Sequence, residues 1–247
     1  MFPLFRRAEP ALPQTLIVGG RTVPLRVARD ARTRRLLLRA DATRGLLRVT
    51  VPPRARLAEV QALLDGHSGW IATQVERWPQ PQPLVPGGRV PFDGGSLRLD
   101  WQPERVRGVV RDGDRLCIGG SAATLPGRVR RWLSTAALAD LDPATHALAA
   151  QIGRRLTQVT VRDPATRWGS CIGGAAPRIG YSWRLIMAPA WVRHSVVAHE
   201  VAHLEHANHG AAFWALAIDL NGGSPASARA WLKEHGSALH WVGRSAD

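Results

Sequence analysis

The segment from Val192 to Leu204 constrains the fold of this chain more than any other. Its apolar residues recur at the spacing of one helical face, and within it His199 and His203 stand four residues apart. Residues four apart on a helix lie one turn apart on the same face, so both imidazoles can reach one tetrahedral zinc ion. Glu200, beside the first histidine, can take a proton from water that the metal has made more acidic. We therefore predict a helix that carries a zinc hydrolase site, the alternative being a surface helix that is merely rich in histidine.

A catalytic zinc ion usually takes a third protein ligand and leaves a fourth position for water. His206 would lie too far along the axis of a continuing helix, whereas His209 can turn back to the metal if the helix ends before it. Asn208 supports such an ending, since asparagine tolerates the left-handed conformation in which many helices stop. We favour His209 as the third ligand. The alternatives are His206 or a carboxylate from a later helix, Asp219 or Glu234.

The pattern of apolar residues divides the chain into three parts. Prolines make residues 1–15 a predicted tail, and residues 16–122 form a predicted β-rich region with one helix over 57–78. Residues 123–247 form a predicted core that is mainly helical and contains three short strands. Its predicted helices span 127–141, 142–156, 189–207 and 224–236. The fold class is therefore α+β, with a small antiparallel sheet packed by helices in the C-terminal half.

The formal net charge is +14, and Lys233 is the only lysine, so nearly all the cations are arginines. A basic surface of this kind attracts anions, nucleic acid among them. The arginines are spread along the chain, however, and no DNA-reading module is recognisable. The charge therefore predicts attraction to anions in general and does not identify a ligand.

The two cysteines, Cys117 and Cys171, are too few for a disulfide framework or for a zinc site made of cysteines alone. We expect both to be small buried side chains. No apolar run reaches the length that spans a bilayer, and the N-terminal order of charges is not that of a secretory signal. The predicted location is therefore the cytoplasm, without association with a membrane.

A wider set of motifs resembles one known family. The segments are Arg167–Cys171, Trp183–Ile186, Ala188–Pro189, His199–Leu204, Asn208–His209 and Phe213–Trp214. Over residues 30 to 240 they resemble the YgjP-like metallopeptidases, distant relatives of the SprT-like proteases. The resemblance implies a zincin-like (minigluzincin-like) core, a cytoplasmic location, zinc bound by His199, His203 and His209, and Glu200 as the catalytic base. Gly210 and Ser182 depart from the serine and asparagine that are commoner in the family, and neither is a proposed ligand.

Three further residues are candidates for binding substrate. The strand predicted at 167–171 could offer its edge to an extended peptide, which would bring Arg167 and Trp168 against the substrate. The alternative is packing, in which Trp168 fills the core and Gly169 lets a helix approach closely. Tyr181 could donate a hydrogen bond to an oxyanion, or it could be an ordinary buried tyrosine of a strand.

The sequence thus predicts a zinc metallopeptidase that acts on peptide or protein substrates. Two alternatives remain open: a nucleic-acid-associated protease of the SprT-like kind, and a non-catalytic basic binding module stabilised by zinc. Neither the physiological substrate nor the oligomeric state follows from the sequence.

Overall fold

A computed structural model describes residues 14–106 and 108–245 of the chain, so the predicted tail lies outside the described residues up to residue 13. The described part is an α+β structure in which helices accompany three small sheets. It divides into two compact units, the first ending at Pro79 and the second beginning at Gln80. The boundary predicted between residues 122 and 123 falls inside the second unit, because the strands of residues 89–118 belong to that unit. None of the described helices combines the length and apolar character needed to cross a membrane.

The first unit is a four-stranded sheet with two helices. The sheet has the order β1-β2-β4-β3, with β2 and β4 parallel and the other pairs antiparallel. Alternate residues of β4 are buried, as the two-residue period of a strand requires. The elements are β1 (Thr15–Val18), β2 (Arg21–Arg29), β3 (Leu37–Asp41), β4 (Leu46–Val51), α1 (Leu57–Gly66) and α2 (Ser68–Glu76).

The single helix predicted over residues 57–78 is two helices that meet at His67. His67 leaves the helical conformation with φ −115° and ψ 16°, and its Nδ1 lies 2.8 Å from the carbonyl oxygen of Leu63. Gly66 and Gly69 flank this break, and glycine has a low helix propensity. The buried residues Val60, Leu64, Ile71 and Val75 nevertheless keep a helical period across it.

The second unit begins with a four-stranded sheet of order β5-β6-β8-β7, in which β6 and β8 are parallel. Two antiparallel hairpins, β5–β6 and β7–β8, flank this parallel pair. Asp93, Gly94 and Gly113 have positive φ values of 50°, 73° and 58°, which tight turns require. The strands are β5 (Arg89–Phe92), β6 (Gly95–Trp101), β7 (Val109–Asp112) and β8 (Arg115–Ile118).

Helix α3 is one continuous element, Leu125–Gln151, whereas the sequence predicted a break at residue 142. Pro143 lies on its exposed side, where proline costs roughly 3 kcal/mol by removing one hydrogen bond and crowding the preceding turn. Every fourth residue of the helix is fully buried. Burial of this stripe outweighs the cost of the proline, since each large apolar side chain contributes about 1.5–3 kcal/mol. The stripe consists of Leu125, Val129, Leu133, Ala137, Leu141, Thr145 and Ala149.

The three strands of the C-terminal half are β9 (Gln158–Arg162), β10 (Gly169–Ile172) and β11 (Arg178–Ser182). Their order is β10-β11-β9, and β11 pairs antiparallel with β10 but parallel with β9. The prediction of an antiparallel sheet was therefore wrong for one of the two pairs. The central position falls to β11 because it is the most buried strand, with Ile179 and Tyr181 each 1% exposed.

The last helices are α4 (Ala190–Ala202), α5 (Ala211–Asn221) and α6 (Ala226–Leu239), and a 3-10 helix, Trp183–Met187, precedes them. Helix α4 is the central helix, since nine of its residues are buried. Buried Arg193 fastens it to α3 through two hydrogen bonds to Asp140, of 2.8 and 3.2 Å, and to the β5–β6 turn through Asp93 at 2.9 Å. Because removing one partner of a buried ion pair costs several kcal/mol, this arginine holds α4 in place.

Candidate metal centre

Helix α4 carries His199 one turn before its end, and His203 is the first residue beyond it. His203 keeps helical backbone angles, with φ −67° and ψ −14°, so the four-residue spacing still places the two rings on one side. Their centroids lie 4.9 Å apart. The end of the helix therefore presents two neighbouring imidazoles.

The chain reverses directly after α4. The helix ends at Ala202, earlier than the predicted residue 207, because the amides of Leu204 and Glu205 donate to the carbonyls three residues back, of Val201 and Ala202, which tightens the last turn. This reversal brings His209 back to the helix, where its Nε2 lies 3.2 Å from the Nε2 of His199. The third histidine thus approaches from beyond the helix end.

A pair of side chains holds this turn from outside. The guanidinium of Arg154, in the segment after α3, forms two hydrogen bonds to the carboxylate of Glu205, one of them 2.9 Å from Nη2 to Oε2. The bidentate geometry is the favourable one for an arginine and a carboxylate. Both side chains are partly or largely exposed, so the pair orients the turn more than it stabilises the fold.

Ligand atoms of His199, His203 and His209 all lie within 4.8 Å of one another. Among residues 14–106 and 108–245, this is the one group of three or more histidine, cysteine or carboxylate side chains close enough to hold a metal ion. It does not include the other candidates that the sequence offered as a third ligand, namely His206, Asp219 and Glu234.

The chemistry of these three side chains suits a divalent metal ion. Burial, with the charges of His203 and His209, lowers the pKa of His199 to about 4, which keeps its imidazole neutral at physiological pH. Nδ1 of His203 lies 3.0 Å from the carbonyl oxygen of His206, and as the donor of that hydrogen bond it leaves Nε2 with a free lone pair. Three imidazoles are a common donor set for zinc. The group could therefore hold a metal ion.

Aromatic side chains from α5 enclose the histidines. Phe213 is fully buried, and its ring centroid lies 4.5 to 4.9 Å from those of all three imidazoles. Trp214 lies 5.9 Å from His199 and 5.7 Å from His209. These contacts limit the rotation of the imidazoles and shield them from water. Their dipeptide formed part of the recognised motifs, but nothing in the sequence alone indicated this enclosing role.

Glu200 follows His199 and is only 6% exposed. Burial raises the pKa of its carboxyl to about 7, although the positive charge of Arg167 acts in the opposite direction. A carboxyl group with a pKa near neutrality can both accept and release a proton, which is the property of a general base and acid.

The strand β10 packs directly against this carboxyl group. A Cβ atom on Gly169 would lie 2.4 Å from Oε1 and 2.5 Å from Cγ of Glu200, closer than real Cβ atoms approach. Glycine at this position therefore leaves the Glu200 side chain its present place beside the strand. Backbone of an edge strand consequently forms one wall beside Glu200.

Two of the three predicted substrate-binding residues lie beside the centre. Arg167 and Trp168 precede β10 and line a cavity of about 290 Å³ that His199 and Glu200 also line. Trp168 also packs into the protein, because a Cβ on Gly236 of α6 would lie 2.8 Å from its ring. Trp168 thus both packs against α6 and lines the cavity, and its contact with a substrate stays a prediction.

Tyr181 pairs with Gly169 across the sheet but does not line the cavity. Its side chain is 1% exposed, and its hydroxyl is hydrogen bonded to Oγ1 of Thr145 at 3.0 Å. Burial raises its pKa, so the hydroxyl stays protonated. A role for Tyr181 in binding substrate stays a prediction. Cys171 lies outside the group of three histidines, and burial, with the nearby negative charge of Glu200, raises the pKa of its thiol to about 11.

A family model described as "YgjP-like, metallopeptidase domain" matches residues 34–235, which is most of the chain and includes the whole centre described above. No curated protein and no solved structure matches the chain.

Proposed function

The chain belongs to the YgjP-like metallopeptidase family, and on this premise we propose that it is a zinc-dependent peptidase with Glu200 as general base. The observation that carries the proposal is the convergence of three imidazoles from α4 and the turn after it, with a buried carboxyl group alongside. We further propose that these elements form a zincin-like, minigluzincin-like core.

His199, His203 and His209 would hold the metal. When bound, a zinc ion supplies Lewis acidity, which polarises a peptide carbonyl and makes a water molecule more acidic. The protein's part is to keep the imidazole of His199 neutral and to orient the ligand rings. Burial keeps His199 neutral, and the carbonyl of His206 and the ring of Phe213 orient the ring of His203.

Glu200 would handle the proton. Its carboxylate accepts a proton from the attacking water and later donates it to the departing amine nitrogen, as general base and then general acid. Burial favours this exchange because it raises the pKa of the carboxyl towards neutrality. Gly169 allows the carboxyl group to remain beside the strand without steric conflict.

The substrate would lie along β10. Among the described strands, β10 is at the edge of its sheet and pairs only with β11, so its other edge is available to an extended peptide. Arg167 and Trp168 stand at the start of this edge and line the cavity beside Glu200. A peptide held there would present a carbonyl group to the centre.

Metal content and hydrolysis test the proposal together. We expect about one zinc per chain, a large loss of zinc in His199→Ala and His209→Ala, and retention in His206→Ala, which distinguishes the two histidine candidates for the third ligand. His194→Ala is the matched control, since His194 is an exposed histidine on the same helix. Glu200→Gln should keep zinc and abolish peptide hydrolysis. Zinc without hydrolysis in the unaltered protein would instead support the non-catalytic binding module.

One observation favours a nucleic-acid-associated protease as a second candidate. A polar groove of about 380 Å³ on the β9–β10–β11 sheet is lined by three exposed arginines, Arg162, Arg167 and Arg178. If these bind phosphates, the logarithm of the DNA affinity should fall with the logarithm of the salt concentration with a slope of about −2 to −3. Arg162→Gln and Arg178→Gln should each reduce that slope by about one. Absence of salt-dependent binding would dismiss this candidate.

A further inference from the structure

The cavity beside the metal centre is built by four elements of the second unit. Helix α4 contributes Val196 and the two site residues His199 and Glu200, and α5 contributes Trp214 and Ala217. Helix α6 closes the cavity with a further set of side chains, and Trp168 forms the wall towards β10. The contributions of α6 are Ala228, Arg229 and Leu232.

The character of the lining indicates what the cavity can hold. Apart from the site residues, its walls are mainly apolar side chains, two of them tryptophans. Its volume of about 290 Å³ exceeds the roughly 150 Å³ of an apolar cavity known to admit benzene. One aromatic or branched aliphatic side chain therefore fits, and a whole folded segment does not.

Positive charge at the cavity disfavours basic occupants. Arg229 is exposed and lies over the ring of Trp214, with its guanidinium carbon 4.9 Å from the ring centroid. Arg167 lines the same cavity. A lysine or arginine side chain would meet both an apolar wall and two like charges.

We propose that this cavity is the specificity pocket of the enzyme, and that it receives a large apolar side chain adjacent to the scissile bond. The assignment rests on the proposed function, since His199 and Glu200 form part of the pocket wall. Trp214 links the two regions, because it contacts the imidazoles and also lines the pocket. A side chain seated there holds the neighbouring peptide bond beside Glu200.

Binding to a variant that cannot turn over tests the pocket without relying on activity. Full-length Glu200→Gln, loaded with zinc, is titrated with sets of short labelled peptides. Within a set the peptides differ at one position, which carries Phe, Leu, Ala or Lys, and each set varies a different position along the peptide. At one position, Phe and Leu peptides should bind about 10- to 100-fold more tightly than the Ala peptide. The Lys peptide should bind no better than Ala. Equal binding of Phe and Ala peptides at every position, or no binding, overturns the proposal.

Filling the pocket supplies the second arm. In the same background, Ala217→Leu should remove most of the preference for Phe and leave binding of the Ala peptide unchanged. Ala215→Leu, the same substitution on the exposed face of α5, should keep the preference. Ala228→Leu, on the facing helix, replaces Ala217→Leu if that variant does not fold. If a folded variant with leucine in the pocket keeps the full preference for the Phe peptide over the Ala peptide, the proposal is overturned. Selective binding without hydrolysis by the unaltered protein would refute the peptidase activity and leave the pocket supported.

Discussion

Replacing Gly169 with alanine would place a methyl carbon where the carboxyl group of Glu200 now lies. The new carbon would be 2.4 Å from Oε1 and 2.6 Å from Cδ. Since non-bonded heavy atoms prefer about 3.5 Å or more, strand or carboxyl group must move by about 1 Å. The strand belongs to a paired sheet and Glu200 to a buried helix, so the side chain of Glu200 is expected to rotate away.

A shift of this size has a large catalytic effect and a smaller effect on stability. Misplacing a catalytic group by about 1 Å can reduce the rate by roughly 100-fold. Overpacking costs about 1–3 kcal/mol of the free energy of unfolding, which need not unfold a chain of this size. We therefore expect Gly169→Ala to bind zinc through the unaltered histidines, and to lose about 100-fold in kcat with a much smaller change in KM.

The assay compares kcat, KM, zinc content and urea unfolding of Gly169→Ala with those of Gly173→Ala. Gly173 lies just after the same strand, and no atom within 4 Å would meet its added Cβ, so its substitution should leave all four quantities unchanged. If Gly169→Ala is folded, holds zinc and hydrolyses peptides at the unaltered rate, the close approach does not position Glu200. A loss of zinc together with activity would also refute the reasoning, since it would locate the effect at the histidines.

Three further substitutions probe the surroundings of the centre. Phe213→Ala should lower the free energy of unfolding of the metal-free protein by about 3–5 kcal/mol, measured by urea unfolding. It should also lower the zinc affinity by about 10- to 100-fold, measured by chelator competition. An unchanged zinc affinity would show that the ring does not orient the ligands. Tyr181→Phe removes only the hydroxyl bonded to Thr145, so stability should fall by about 1 kcal/mol with kcat/KM unchanged; a selective loss of rate would place the hydroxyl in the mechanism. Burial opposes ionisation of the Asp163 carboxyl, but hydrogen bonds from Arg184 outweigh it and lower the pKa of that carboxyl. The ion pair therefore stabilises the folded protein above the pKa that Asp163 has in the unfolded chain. This stabilisation is lost as the pH falls through the lower pKa of the folded state. In urea unfolding, Asp163→Asn should therefore lower the free energy of unfolding by about 1 kcal/mol at pH 7, since the carboxylate is half-exposed, and leave it unchanged well below pH 4. A difference between the two proteins that does not vary with pH would contradict the pKa shift.

The local geometry of the centre could be anticipated because it depends on short spacings. A spacing of four positions from His199 to His203 is enough to align two rings, whether or not the second residue is strictly helical. The position of the helix end was harder to predict, because it depends on which carbonyls accept the amides of Leu204 and Glu205. The expectation that the chain turns back before His209 did not require that detail.

Features that depend on packing between distant segments could not be predicted. The propensity of proline indicated a break at residue 142, but a stripe of buried residues along α3 keeps the helix continuous through Pro143. The order of the C-terminal strands depends on which is most buried, and the sequence pattern of three short strands does not contain that information. The pocket draws on residues from four elements, so Arg229 had no signal linking it to His199.

The three imidazoles differ in how firmly the protein holds them. His199 and His203 belong to the end of a buried helix, whereas His209 is exposed and lies in a reversal that an external pair, Arg154 with Glu205, keeps in place. Local opening of such a segment needs far less free energy than global unfolding. Exchange of the proposed metal ion with solution should therefore proceed through detachment of this loop, at a rate that ionic strength increases by weakening the outer pair.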